Sequence, residues 1–335
     1  IIEMAKILNE VKPDAIIAAD GGVMEILKKY APDVPIHVST QANVVSLHAA
    51  NFWYKNGAKR VIMAREANKE QIRYIMENKP KDLELEMFGH GAICFAYSGR
   101  CFLSDFLCGR SANLGDCAQS CRWSYNLYAE EKNNPGQLMP LESDENGTSI
   151  FSSKDLCLIK EIPEIIDMGV DSLKIEGRLK TEYYVASVVN AYRTAIDDYM
   201  KDPENYDYTK YLNELEKVKT RPFTTFYFND RKNEDIQDFS GKQYNDKYEF
   251  GGKIVEAKEE KSVIEIKNKL TVGDTLEILK PGQFEPIEFK IEQLWDYETG
   301  EKIDFVSPGV KGQKVLMNIP VKCENNWIMR RKKGN

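Results

Sequence analysis

The first 180 residues alternate short apolar runs with amphipathic stretches. Ala15–Asp20, Ile36–Gln41, Arg60–Arg65, Leu83–His90 and Ser172–Gly177 read as strands, each short and apolar as parallel strands covered on both faces should be. Between them, Val23–Tyr30, Val44–Asn56 and Lys69–Asn78 read as helices, as does Ile1–Val11 at the start. This alternation predicts right-handed βαβ units and a parallel sheet. A further helix is expected over Thr181–Met200, and 203–246 reads as an aperiodic linker. From about Tyr248 the grammar changes. Lys253–Ala257, Ser262–Ile266, Thr275–Leu279, Phe289–Gln293 and Lys314–Ile319 are β-rich, and turns such as Val272-Gly273-Asp274 and Pro281-Gly282 separate them. That spacing predicts a small β-barrel.

Polar residues close several of the early strands: Asp20 before Gly21-Gly22, Gln41 after Ser39-Thr40, Arg65 before Glu66, His90 before Gly91, and Glu176 before Gly177-Arg178. In a (β/α) barrel such ends converge on one face, where binding and catalysis occur. A doubly wound open sheet is the rival, but Gly21-Gly22 matches its phosphate-binding turn poorly. Only five β/α units are visible where a closed barrel needs eight. The chain also opens inside a helix, on Ile1 rather than Met. The expectation is therefore a (β/α) TIM-like barrel lacking its N-terminal units over 1–240, then a β-barrel domain over 248–330. Residues 122–153 hold the turn-formers Asn133-Asn134-Pro135-Gly136 and Asp144-Glu145-Asn146-Gly147, and read as an insertion between the last two barrel strands.

Composition narrows the chemistry. With 42% hydrophobic and 30% charged residues, the 335-residue chain has the balance of a soluble protein. It has no apolar run near the ~18 residues a membrane span needs, so a cytoplasmic protein with no membrane partner is expected. A net charge of −7 excludes a whole-chain electrostatic attraction to nucleic acid and leaves room only for a local basic surface. Arg330-Arg331-Lys332-Lys333 reads as a solvated basic tail.

Five of the seven cysteines fall between Cys94 and Cys121, with the spacing C-x6-C-x6-C-x8-C-x3-C. The chain is too long for a disulfide-stapled miniprotein, so a metal or redox site is the better reading. Soft thiolates favour iron–sulfur clusters or zinc, and neither common zinc-finger nor ferredoxin spacing is matched. Intervening glycines let backbone wrap closely around an inorganic core. The competing reading is a set of inert buried thiols.

The stretch Glu86-Met87-Phe88-Gly89-His90-Gly91-Ala92-Ile93-Cys94, followed by Ser98-Gly99-Arg100-Cys101 and continuing to Arg122, resembles the defining motif of the collagenase-like "U" peptidase family 32. Ser153-Lys154-Asp155-Leu156 and Ser172-Leu173-Lys174-Ile175-Glu176-Gly177-Arg178 are similar to a second block of that family, and Val263–Leu279 resembles its small C-terminal domain. The resemblance implies either collagenase-like proteolysis or hydroxylation. Some members are similar to prephenate-dependent tRNA hydroxylases that form 5-hydroxyuridine at the wobble position, others to an rRNA cytidine hydroxylase. The C-terminal β domain makes the tRNA branch the closer likeness. It implies a 4Fe–4S cluster on Cys94, Cys101 and Cys117, with Cys121 or Cys157 as fourth ligand. Cys108 has no counterpart, and Cys323 reads as structural.

A peptidase would need an activated nucleophile, an open metal site or paired carboxylates. Neither H-E-x-x-H nor G-x-S-x-G is present, and the histidines are His37, His48 and His90 only. A Cys94–His90 pair is conceivable, but a thiolate bound to iron is not a free nucleophile. Peptidase activity ranks second, and a non-catalytic cluster-binding partner is the third reading. For hydroxylation, His90, Glu176 and Arg178 are the catalytic candidates. Gln41, Arg65, Arg100, Arg122 and Lys174 are candidates for binding prephenate or a similar small dicarboxylate, since guanidinium forks match carboxylates. Asn43 can bind polar groups or cap a helix. Trp123 and Tyr125, beside Arg122, can stack an unpaired base of tRNA.

Overall fold

The computed structural model describes residues 1–94, 96–123, 125–126, 128–130, 132, 135–136, 138–140, 153–229, 247–309 and 312–333. It divides into two compact units. One comprises Ile1–Glu176 with Arg221–Gln243, the other Gly177–Thr220 with Tyr244–Asn335.

The first unit alternates as its sequence predicts: α1 (Ile2–Val11), β1 (Ile16–Ala18), α2 (Gly21–Tyr30), β2 (Ile36–Val38), α3 (Leu47–Lys55), β3 (Ala58–Ile62), α4 (Lys69–Asn78) and β4 (Glu84–Ala92). Side chains start the helices where polar residues end the strands. Asp20 accepts from Val23 N–H at 2.9 Å, Ser46 accepts from Ala49 N–H, and Asn68 and Gln71 form a reciprocal capping box. Beyond β4 lie α5 (Leu103–Cys108), a hairpin of β5 (Tyr128–Glu130) and β6 (Leu138–Pro140), β7 (Asp155–Cys157), α6 (Ile162–Asp167) and β8 (Ser172–Ile175). The turn at Asp144–Gly147 and the pair Asn133-Asn134 lie outside the described residues.

Strands β1, β2, β3 and β4 pair in parallel in that order, and β8 is parallel to β4 along Glu86–His90. Val38, Val61, Ile62, Leu83 and Leu85 are almost fully buried in the core. One feature departs from an all-parallel sheet. β4 is nine residues long and outruns β8, so its last turn of backbone pairs antiparallel with β7, setting His90 opposite Cys157 and Ala92 opposite Asp155. A short β9 (Phe223–Thr224) then runs parallel to β7. The sheet path ends at β1 and at β9 among the described residues, so the mixed α/β architecture is as expected while closure into a barrel is not displayed.

The second unit holds α7 (Glu182–Lys201), α8 (Thr209–Leu215) and ten strands: β10 (Tyr248–Glu256), β11 (Ser262–Ile266), β12 (Leu270–Thr271), β13 (Thr275–Leu279), β14 (Ile287–Lys290), β15 (Leu294–Asp296), β16 (Lys302–Ile303), β17 (Phe305–Val306), β18 (Lys314–Met317) and β19 (Ile328–Lys332). Eight of them form one antiparallel sheet in the order β14-β13-β19-β10-β11-β18-β15-β16. The change of pattern read at Tyr248 is the first residue of β10. Two expectations need correction. The stretch read as a linker contains α8, because Tyr211 and Leu215, one helical turn apart, are fully buried on one face. The basic tail is not solvated at Arg330, which is fully buried on β19. Its guanidinium pairs with Glu214 of α8 and donates to Glu277 of β13 at 2.7 Å, so the charge is compensated where water is excluded. No helix among the described residues is long and apolar enough to cross a membrane.

Candidate functional site

The site is built on the C-terminal ends of the parallel strands and on the loop that leaves β4. Gly91 has φ +115°, and a Cβ there would lie 2.3 Å from the carbonyl oxygen of Glu176. Only glycine fits this approach, which closes on the bond from Glu176 N–H to His90 O at 2.9 Å. After β4 the chain passes Cys94 and loops back over the strand ends. Glu66, just past β3, accepts from Ser98 N–H at 2.9 Å and from its hydroxyl at 3.0 Å. Gly99, φ +74°, lies so near the Gln41 carbonyl that a Cβ would meet it at 2.4 Å. Gln41 Nε2 in turn donates to Ala112 O at 3.0 Å. Asn113 accepts from the N–H of Cys101 at 3.1 Å, and the N–H of Gln119 donates to Cys117 Sγ at 3.3 Å.

The loop brings four thiols into one another's electrostatic field. Burial pushes the Cys94 thiol up, and the neighbouring Cys101 and Cys117 add to the rise against a backbone N–H and Arg65. Burial, opposed by Arg122 and aided by Cys94, Cys117 and Cys101, pushes Cys121 up to about 11. Each of the four is partly buried. Among the described residues no group of three or more His, Cys, Asp or Glu side chains is close enough to hold one metal ion. Cys157 is buried on β7 opposite His90, and Cys108 is exposed at the end of α5, donating to Ser104 O at 2.9 Å.

The expected substrate-binding cations divide. Arg65 stacks on Phe88, its guanidinium carbon 3.6 Å from the ring centroid. Burial and then Arg122 lower its pKa, while Cys94, Glu176 and Glu66 oppose the fall. Arg100 is exposed and donates to the Gly99 carbonyl at 3.3 Å. Arg122 is spent internally. It donates to Asp155 at 2.9 Å and to the Ile93 carbonyl at 3.0 Å, and Asp155 also accepts from Arg221 N–H at 3.2 Å. Lys174 sits 3.4 Å from Glu86 and 5.8 Å from the Phe88 centroid. Glu86 is shared with Arg60 at 2.9 Å and Ser172 at 3.0 Å. His37 faces this charged row, and burial with Arg60 lowers its pKa. His90 is fully buried, edge-on to Phe223 at 5.4 Å. Arg178 is exposed and belongs to the second unit. Trp123 is exposed, and Tyr125 donates its hydroxyl to Ser120 O. Asp155 and Glu66 were not among the sequence candidates. Asp155 lay inside the quoted Ser153–Leu156 block and Glu66 beside Arg65, but only the fold shows what they hold.

A parallel α/β unit with clustered thiols at its strand ends, in a chain that also carries an antiparallel β domain, is what family comparison recovers. The model of peptidase family U32 matches residues 1–238 and that of the U32 C-terminal domain matches 246–330. The chain belongs to peptidase family U32. It is 39% identical to tRNA hydroxylation protein P1 of Bacillus subtilis, over 89% of this chain and 70% of that protein. It is 35% identical to tRNA hydroxylation protein P of Escherichia coli, over 96% of this chain and 78% of the relative. The E. coli 23S rRNA 5-hydroxycytidine C2501 synthase is 32% identical over 79% of this chain and 39% of its own length.

Proposed function

We propose that this protein is an RNA-modifying enzyme that hydroxylates uridine in tRNA, in the cytoplasm, with a 4Fe–4S cluster held by Cys94, Cys101, Cys117 and Cys121. The observation that carries this reading is that those four thiols lie within one another's electrostatic field on the loop past β4, in a chain similar to proteins named for tRNA hydroxylation. Cys121 is taken as the fourth ligand because its thiol shares the field of the other three. The N–H of Gln119, aimed at Cys117 Sγ, suits a thiolate bound to iron.

Bound there, a cluster supplies one-electron transfer. Converting the C5–H of uridine to C5–OH removes two electrons and adds one oxygen atom, so a co-substrate must take part. Prephenate or a similar dicarboxylate suits the cations at the site. Arg65 and Lys174 both lie over Phe88, and Arg100 is solvent-facing on the cysteine loop. Two charge-assisted contacts favour a dicarboxylate over a neutral molecule. The contacts that Gln41, Glu66 and Glu176 make around one loop support reading the sheet as an arc of a (β/α) barrel, with its site on the usual face. The peptidase alternative rests on the family's description, and its Cys94–His90 pair meets a histidine that is fully buried.

Anaerobic purification followed by iron and acid-labile sulfide analysis tests the cluster. Wild type is expected to carry both in near-equal amounts, and Cys117→Ser to lose both. Zinc without sulfide, or unchanged iron in Cys117→Ser, contradicts the assignment.

A further inference from the structure

The cysteine loop presents aromatic side chains to solvent to a degree that packing does not explain. Phe102 is 71% exposed and Phe106 85%, with Tyr97 and Trp123 close to half exposed. They belong to one small assembly. Phe102 precedes α5 and Phe106 lies on it, and Cys121 and Trp123 flank the end of the 3-10 turn Ser120–Arg122. Ser104 of α5 fastens the two by accepting from Ala118 N–H at 2.9 Å. Arg100 lies in the same loop, and its donation to the Gly99 carbonyl leaves the guanidinium facing water. Asp116, the acid nearest in sequence to the later thiols, is bound to Arg110 at 2.8 Å.

Exposed apolar surface of this kind marks an interaction site. Here four aromatic side chains, with Leu107 and Leu114 also exposed, share one loop with a cation and with Cys94, Cys101, Cys117 and Cys121. Flat π-faces beside a guanidinium are what unpaired nucleotides require: bases stack on the rings, and the phosphate meets the cation. A base-paired helix keeps its bases stacked on one another and offers these rings nothing. We infer that Tyr97, Phe102, Phe106 and Trp123, with Arg100, form the docking surface for an unpaired loop of the RNA substrate, and that this surface delivers a splayed-out base to the thiol site. The inference rests on the hydroxylase reading and adds to it where the RNA sits and in what form.

Fluorescence anisotropy of the full chain with a labelled RNA hairpin loop, and with a fully paired duplex of equal length, tests the surface. The loop should bind more tightly than the duplex. Phe102→Ala and Phe106→Ala should each weaken loop binding about 5-fold or more, as loss of one stacked base does, and leave duplex binding unchanged. Arg100→Gln should lower the salt dependence by about one phosphate contact. All three positions are exposed, and melting curves matching wild type establish that the variants fold. Loop binding unchanged in both phenylalanine variants overturns the proposal. So does self-association that Phe106→Ala abolishes while RNA binding persists, since the surface then serves a second copy of the chain. Hydroxyuridine in cellular tRNA separates the two readings. If wild type forms it and the Phe102→Ala/Phe106→Ala protein forms as much, the surface is wrong and the function stands. If wild type forms none, the function is wrong.

Discussion

Arg122 and Asp155 form a clasp. One arm of the guanidinium holds a carboxylate that is fully buried, and another holds the carbonyl immediately before Cys94. Because Arg122 follows Cys121, this side chain ties together two thiols that lie far apart in sequence. Asp155→Asn keeps the shape and removes the charge, leaving Arg122 in a site where little water can replace its partner. Cluster affinity should fall about 10- to 100-fold, as it does when the residues that orient metal ligands are lost, measured as iron retained against a chelator. Retention equal to wild type would show that the clasp does not set the thiol geometry. The density of cysteines stands out in the sequence. The bond from Arg122 to Asp155 does not, because the two are brought together by the antiparallel pairing of β4 and β7.

At the scale of elements, β4 organises the site. Parallel neighbours β3 and β8 flank its first half, β7 takes its second half, and Gly91 lets Glu176 close against it. Gly91→Ala would place a methyl group 2.3 Å from a backbone oxygen at φ +115°. We expect a loss of about 2–4 kcal/mol, from strain at a positive φ together with displacement of β8. Urea unfolding followed by circular dichroism checks it, and a loss under 1 kcal/mol would mean that the strand ends are not held together here. The five parallel strands were readable from their apolar runs and closing polar residues. The short β7 and β9 were not, since strands of three and two residues carry too little periodicity to register. Nor was the row formed by His37, Arg60, Glu86 and Lys174, whose members are scattered in sequence and meet only through strand register.

For the whole molecule, the change from βα alternation to short strands falls at Tyr248, the first residue of β10, and the two family matches cover 1–238 and 246–330. What the pattern could not reveal is that Gly177–Thr220 is compact with the β sheet, because Arg330 pairs with Glu214 across 116 positions. The thiols, the cations over Phe88 and the exposed aromatic residues all lie in the first unit. On the function proposed above, the cysteine site is required to hydroxylate uridine in tRNA. The most direct measurement is mass spectrometry of tRNA nucleosides from cells lacking this gene, complemented with wild type or with Cys101→Ala. Hydroxyuridine restored by wild type and absent with Cys101→Ala, at equal protein levels, is the predicted result. Hydroxyuridine at wild-type levels with Cys101→Ala would contradict it.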